Sequence, residues 1–559
     1  MKNNIRFLAL ALTGILVLSG CSSQGAPKAD EDSRETIEFG DIGAENGDSE
    51  EAKEASEEQT DDGQAQTDES AETLASEEGQ SRAPAVSIKQ SEEKEIYDDT
   101  GEVLIVTESH AIVEITSDGF DALKNTVEGY YEKDNTETLD EMTEEAQNHL
   151  HGMKELEDYD YDVSRFPTYY MDKTASLERS DSSVISFSNM DYEYWGGAHG
   201  NYATYGYTID VESGSELKFE DIITDMEGFR AEAVPYVTDK LDEDYGDGLF
   251  PEYAETVGST FGGEYEPSWF LNATGIVIVF QTYEVGPYVM GQAVVTLPYS
   301  QFGKYMNEKY LAPKGELVAG VSANMDMSAF LGESGEVSLN SINNEYDASE
   351  VLIVVGATSE QVSNSGYFQG AYVVRNARGR TFIIVSAENN SFVYEITGGN
   401  VTKCDELVDS RVIGENVGTD KLSFNVDLNI LGTYFSDMIY KLTDDGKLEQ
   451  TEEIFYRNTD KQYVTLESQY VMTVMKELPV VQSGGENKLA VGTKLYITGT
   501  NNKDKAYFEI VKDDGKGGIE FTGDNGEIDF SIEQSGSGRT LYIDGVSEYE
   551  YFDKIPYMQ

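Results

Sequence analysis

Cysteine is almost absent from this chain: there are two in 559 residues, Cys21 and Cys404. A disulfide framework is excluded, so stability must come from buried cores. Histidine is nearly as scarce, with four, at positions 110, 149, 151 and 199. A hydrolase built on a His-rich metal site has too few ligands to draw on. His149 and His151 are a close pair, but positions two apart on a helix point to nearly opposite sides and cannot share an ion. Basic residues are outnumbered 39 to 106, which leaves a net charge of −67. Phosphate polymers would be repelled, so nucleic acid is not an expected partner. Cationic proteins or divalent cations would be drawn in. The chain has no G-x-S-x-G elbow, phosphate loop, dinucleotide fingerprint or C-x-x-C. After residue 20 no apolar run approaches the roughly 18 residues of a membrane helix. No catalytic constellation is found, so the chain reads as a non-enzyme, and no cofactor or metal is expected.

What is present begins at the N-terminus. Lys2 and Arg6 precede an apolar stretch at 7–18, and Leu18, Ser19, Gly20 and Cys21 match the bacterial lipobox. This pattern predicts a lipoprotein signal peptide at 1–20, cleaved so that Cys21 carries the lipid. Several acyl chains anchor durably where one is marginal. The expected location is therefore the outer face of a bacterial cell membrane, with the membrane itself a partner through Cys21. Residues 21–92 are rich in Glu, Asp, Ser and Gln and poor in large apolar groups, so a disordered acidic tether is predicted. A flexible chain of about seventy residues spans roughly 45–50 Å.

The rest reads as α+β followed by all-β. EIYDDTGEVLIVTESHAIVEIT is strand, turn, strand. Phe120, Leu123, Val127 and Tyr130 then mark one helix face, and Leu139, Met142, Ala146, Leu150 and Met153 a second. Strands are expected at PTYYMDKTASLE, SVISFSNMDYEYW and NYATYGYTIDV. Helices are expected over 219–245 and 251–260, strands at GIVIVFQTYEV and QAVVTLPY, and a closing helix over 300–309. Beyond Pro313 and Gly315 the pattern is strands and turns, with propeller-like or sandwich packing over 313–478 and a small SH3-like barrel over 479–559.

Residues 94–310 resemble a known pair of modules. The matching residues are Tyr97, Asp98 and Asp99, then WGGAHGN at 195–201, GSELKFED at 214–221, and GIVIVFQTYEVGPYVMGQAVVTLPY at 275–299. The first module, at 93–200, is similar to the DUF4163-like strand–helix unit found ahead of a peptidoglycan deacetylase domain in some Gram-positive exported enzymes. The second, at 201–312, resembles the DUF3298-like part of the extracellular region of the lysozyme-sensing anti-sigma-V factor. The resemblance implies a binding domain that clasps a basic wall-degrading enzyme. The chain lacks that factor's cytoplasmic and transmembrane segments, so it would not signal in the same way.

The candidate ligand-binding residues are Trp195, His199, Asn201, Tyr283 and Tyr288. Exposed Tyr and Trp make good contact points for protein or sugar. His199 sits among glycines, where an imidazole could meet a ligand; the sequence equally fits a tight turn in which it caps backbone groups. Cys404 has no nearby histidine and reads as a quiet, partly buried thiol. Asp-rich pieces at 241–248 and 511–518 lack the order of a calcium loop. The expected function is binding of an extracytoplasmic partner, either a cationic lysozyme-like protein or a cell-wall component. The alternatives are an enzyme acting on wall polysaccharide and an interaction lipoprotein that recognises partners through its β modules.

Overall fold

The computed structural model describes residues 82–559 except 133–135, 156–162, 263–266, 312–314, 323–324, 328–336, 344–348, 356–357, 364–367, 459–467, 514–517, 536–537 and 558–559. The signal peptide, Cys21 and most of the expected tether lie outside the described residues. The tether's expected end at 92 is corrected. Residues 86–90 form strand β1 (Val86–Gln90), with Val86 and Ile88 buried. Its partners are distant in sequence: it pairs with 111–115, and Val86 exchanges two backbone hydrogen bonds with Val417. A five-residue strand beside an acidic stretch gives little local signal, because its apolar face is completed only by the tertiary fold.

After β2 (Lys94–Tyr97) a tight turn leads into β3 (Leu104–Ile115). The Asp98 carboxylate holds this turn. It accepts from the backbone amides of Val103 and Glu102 and from the Thr100 hydroxyl, and pairs with Lys154 at 3.0 Å. These donors outweigh its desolvation and hold Asp98 well below the usual carboxylate range. Next come α1 (Asp121–Tyr131), α2 (Thr136–Glu155) and β4 (Tyr169–Asp181). β3 and β4 are parallel, an arrangement that needs a crossover, and the two helices supply it. Leu123 and Val127 of α1 and Leu139, Met142, Ala146 and Leu150 of α2 are buried, as their spacing predicts. β4 then pairs antiparallel with β5 (Val184–Tyr194), which pairs with β6 (Asn201–Asp210).

The next segment carries α3 (Phe219–Ile222), α4 (Met226–Tyr245), α5 (Tyr253–Gly262) and a three-stranded sheet of β7 (Ser268–Leu271), β8 (Gly275–Phe280) and β9 (Ala293–Pro298). Phe229, Ala233, Val237 and Leu241 of α4 pack with Ile276, Ile278 and Phe280 in one core. The expected long helix over 219–245 is broken at 223–225, where Asp225 caps α4 by accepting from the Gly228 amide. The strand expected through Val285 ends at Phe280, and the expected helix over 300–309 is one α-turn (Tyr299–Phe302) followed by 3₁₀ turns.

β10 (Leu317–Gly320) pairs with the end of β4 on one side and with Phe368–Arg375 on the other. One eleven-stranded sheet therefore runs across position 312. One apolar core includes Val86, Leu123, Phe187, Phe382, Phe424, Phe508 and Phe552, so the two halves share an interior. The β-rich part continues as four-, four-, seven- and three-stranded sheets. The small barrel expected over 479–559 is corrected: the seven-stranded order starts at Phe455–Tyr456, ends at Gly485–Leu489 and, among the described residues, does not close. Short alternating strands have the same pattern in an open sheet as in a barrel, and closure depends on pairing between the two outermost strands.

Candidate functional site

Two loops converge at the edge of the first sheet. One, 195–200, joins β5 to β6; the other, 281–292, joins β8 to β9. What brings them together is a close approach of the two sheets at Gly206. A Cβ there would overlap the Trp269 carbonyl oxygen, so only glycine lets β6 and β7 meet. The contact is reinforced by the Ser268 hydroxyl donating to the Thr204 carbonyl at 2.6 Å. The Gln281 amide side chain then docks on Thr204, accepting from its N–H at 3.0 Å and donating to its carbonyl at 2.7 Å. Gln292 completes the clamp, donating to the Gln281 side-chain oxygen at 2.6 Å and accepting from the Thr204 hydroxyl at 2.9 Å.

With the loops pinned, four of the five candidates meet. His199 stacks on Tyr288, with ring centroids 4.1 Å apart at 27°. The Tyr288 hydroxyl donates to the Gly200 carbonyl at 2.8 Å, and the same carbonyl lies 2.8 Å from His199 Nδ1. A carbonyl only accepts, so Nδ1 carries the proton. Tyr283 lies 5.8 Å from Tyr288 by ring centroid, and Thr282 donates to the Asn201 side chain at 3.2 Å. Trp195 stands in the same loop, with its indole N–H donating to Glu193 at 2.9 Å. A Cβ at Gly200 would overlap the hydroxyl end of Tyr192, so a larger residue there would displace that side chain.

Around this centre lie Tyr170 and Tyr192, stacked at 5.2 Å, and Tyr202, 6.4 Å from Tyr288. Burial raises the Tyr288 pKa, and Tyr192, Tyr202 and Tyr283 raise it further. Tyr283 has φ 71°, which is costly for a bulky residue, and the residue is 54% exposed. Val289, at the tip of the second loop, is 91% exposed. The arrangement is a shaped aromatic surface with acidic neighbours. Among the described residues no group of three His, Cys, Asp or Glu could hold a metal ion. His149 and His151 are separately engaged, with Tyr169 and with Glu155. Burial pushes the half-buried Cys404 thiol up, away from the reactive thiolate.

Sequence reasoning missed Gln281 and Gln292. Both act on Thr204, 77 and 88 positions away along the chain. A sequence pattern carries no such signal.

Fold and site together define a β-rich protein with a preorganised aromatic loop surface at the junction of two α+β segments. The family model of a protein of unknown function, DUF3298, matches residues 220–300, and the model Deacetylase PdaC matches residues 111–202. Each matched segment supplies one of the two loops. Among solved structures, the chain is similar to a DUF3298-family protein from Bacteroides fragilis (19% identity, 41% of this chain and 96% of that one, TM-score 0.32). It is also similar to one from Pseudomonas aeruginosa (13% identity, 41% and 98%, TM-score 0.28). No curated protein matches the chain.

Proposed function

We propose that this chain is a lipid-anchored surface protein whose folded part binds an extracytoplasmic partner: a cationic, lysozyme-like protein or a cell-wall component. The observation that carries the reading is the convergence of loops 195–200 and 281–292 into an exposed aromatic surface fixed by the Gln281–Thr204 clamp. The finer resemblance, a DUF4163-like unit followed by the lysozyme-sensing module of the anti-sigma-V factor, supports a protein partner over a glycan. The net charge of −67 supports a cationic one. Anchoring rests on the lipobox at 18–21 and places the acidic tether between membrane and head.

The test is direct. The full-length chain carrying Cys21→Ser, which cannot be acylated, is titrated with a lysozyme by calorimetry. Saturable binding that weakens as salt rises is expected, and loss of binding in Tyr288→Ala places it at the loops. Heat no greater than dilution at low salt rejects the lysozyme-like partner. The PdaC model match favours one second reading, an activity on acetylated wall glycan; acetate release from such a glycan would establish it over binding alone.

A further inference from the structure

We infer that the face of the β5–β6 hairpin bearing Asp191, Glu193 and Tyr205, bordered by Trp195 and Glu284, receives a cationic side chain, arginine or lysine, from a protein partner. This deepens the proposed binding function and rests on it. The register pairs Glu193 with Asn201, Asp191 with Ala203 and Asn189 with Tyr205. Asp191, Glu193, Ala203 and Tyr205 therefore emerge on one face. The small Ala203 lies between the carboxylates and the phenol. Tyr205 is 48% exposed and Trp195 37%, large areas for aromatic rings on a sheet.

The border is built from the clamp already described. Gln281 grips Thr204, next to Tyr205, and its own N–H donates to Glu284 at 2.7 Å. Trp195 is held against Glu193 through its indole N–H. The electrostatics agree: after burial, Asp191, Glu193 and Glu284 each raise the Tyr205 pKa, so all three act on one phenol. The fold supplies little positive charge in return. Lys173 stands 3.6 Å from Asp191, and among the described residues no Lys or Arg pairs with Glu193 or Glu284.

Carboxylates beside exposed aromatic faces are complementary to a cation on two counts, ion pairing and the negative face of the ring. A wall polyanion would be repelled by the same groups. A neutral sugar's hydroxyls can donate to these carboxylates but leave their negative charge uncompensated. A cationic side chain satisfies both, and arginine does so with a planar group that can stack and bond at once.

The experiment uses the full-length Cys21→Ser chain and blocked tetrapeptides: tetra-arginine, tetra-lysine and tetra-citrulline, the last a neutral isostere of arginine. Binding is read by calorimetry. Tetra-arginine and tetra-lysine are expected to bind saturably, and tetra-citrulline at least tenfold more weakly. Tyr205→Leu, which alters no charge, and the pair Glu193→Gln/Glu284→Gln are each expected to weaken tetra-arginine at least fivefold. A distant acidic pair on α2, Glu141→Gln/Glu144→Gln, should change it less than twofold. Equal binding of citrulline, no saturable binding, or equal losses from the α2 pair and the hairpin pair would overturn the inference. The lysozyme titration separates the two claims. Peptides that bind at the hairpin while lysozyme does not would reject only the lysozyme-like partner. Lysozyme binding that ignores Tyr205→Leu and the Glu193→Gln/Glu284→Gln pair would reject only this site.

Discussion

The β4–β5–β6 sheet meets the rest of the molecule through two tyrosine-rich polar assemblies of opposite character. Near the end of β4, Arg179 is wholly buried. It donates to Asp181 at 2.6 Å, to the Tyr299 hydroxyl at 2.7 Å and to the carbonyls of Tyr310 and Leu311 at 3.0 and 2.7 Å. Tyr299 passes the chain on to the Asn272 carbonyl at 3.0 Å. At the start of β6, similar groups are more open: His199 and Tyr283 are exposed and Tyr288 is half-buried, with carboxylates beside them. Saturation separates the two. A buried cation with four protein partners has nothing left to offer a ligand, so Arg179 joins segments. An aromatic cluster with exposed faces retains its capacity to bind.

The largest effect should come from cutting the saturated assembly. Arg179→Met leaves Asp181 buried without its cation, which costs about 3–5 kcal/mol. Denaturant unfolding would read the loss, and tetra-arginine affinity of the still-folded fraction at low temperature should stay within twofold. A stability change under about 1 kcal/mol would show that Arg179 joins nothing essential.

A second effect tests the same sheet through pH. Burial raises the Glu178 carboxyl to about 7, although the Ser188 hydroxyl donates to it at 2.6 Å and pulls the other way. Tyr372, on the Phe368–Arg375 strand beyond β10, has its own pKa raised by burial and by Glu178. Because the folded pKa lies above the unfolded one, the folded state binds the extra proton. The stabilising share is complete below the ordinary carboxyl value and is lost as pH rises through about 7. Glu178→Gln should remove that slope and stabilise the protein at pH 8 by about 2–3 kcal/mol relative to its effect at pH 4. Parallel stability–pH curves for the two proteins would refute it.

The open assembly should respond in the opposite sense at Tyr283. Its φ of 71° favours glycine, so Tyr283→Gly should gain about 0.5–1 kcal/mol in thermal unfolding while weakening partner binding. A variant that loses stability would mean that the ring packs more than it strains.

This contrast also explains what could be read from the sequence. The helix faces at Leu123/Val127 and Leu139/Met142/Ala146/Leu150 follow a local period, and they are buried as that period implies. Two of the quoted motifs are folding signals. Asp98 holds a turn, and in GSELKFED the Gly214 carbonyl accepts from Thr126 on α1 while Asp221 caps α3 through the Lys218 amide. The loop residues were legible as exposed aromatics near glycine, and His199, Asn201, Tyr283 and Tyr288 do come together. The clamp, the Arg179 assembly, β1 and the open ends of the seven-stranded sheet were not legible. Each depends on which distant segments meet, and side-chain periodicity says nothing about which distant strand completes a face.

The smallest effect concerns a shared acceptor. The Gly200 carbonyl receives both the Tyr288 hydroxyl and His199 Nδ1–H. His199→Ala removes one donor and the stacked ring, but leaves the carbonyl satisfied by Tyr288, so the loss should be about 0.5–1 kcal/mol. Tyr288→Phe keeps the stack and leaves His199 as the donor, with a similar loss. The double variant strips the carbonyl of both donors while Gly200 stays buried. The two losses should then exceed their sum by about 0.5–1 kcal/mol, since a buried acceptor without a partner costs more than either bond alone contributes. Strict additivity in that cycle would mean that water replaces the lost donors and that the two loops are held by the Gln281–Thr204 clamp rather than by the histidine–tyrosine pair.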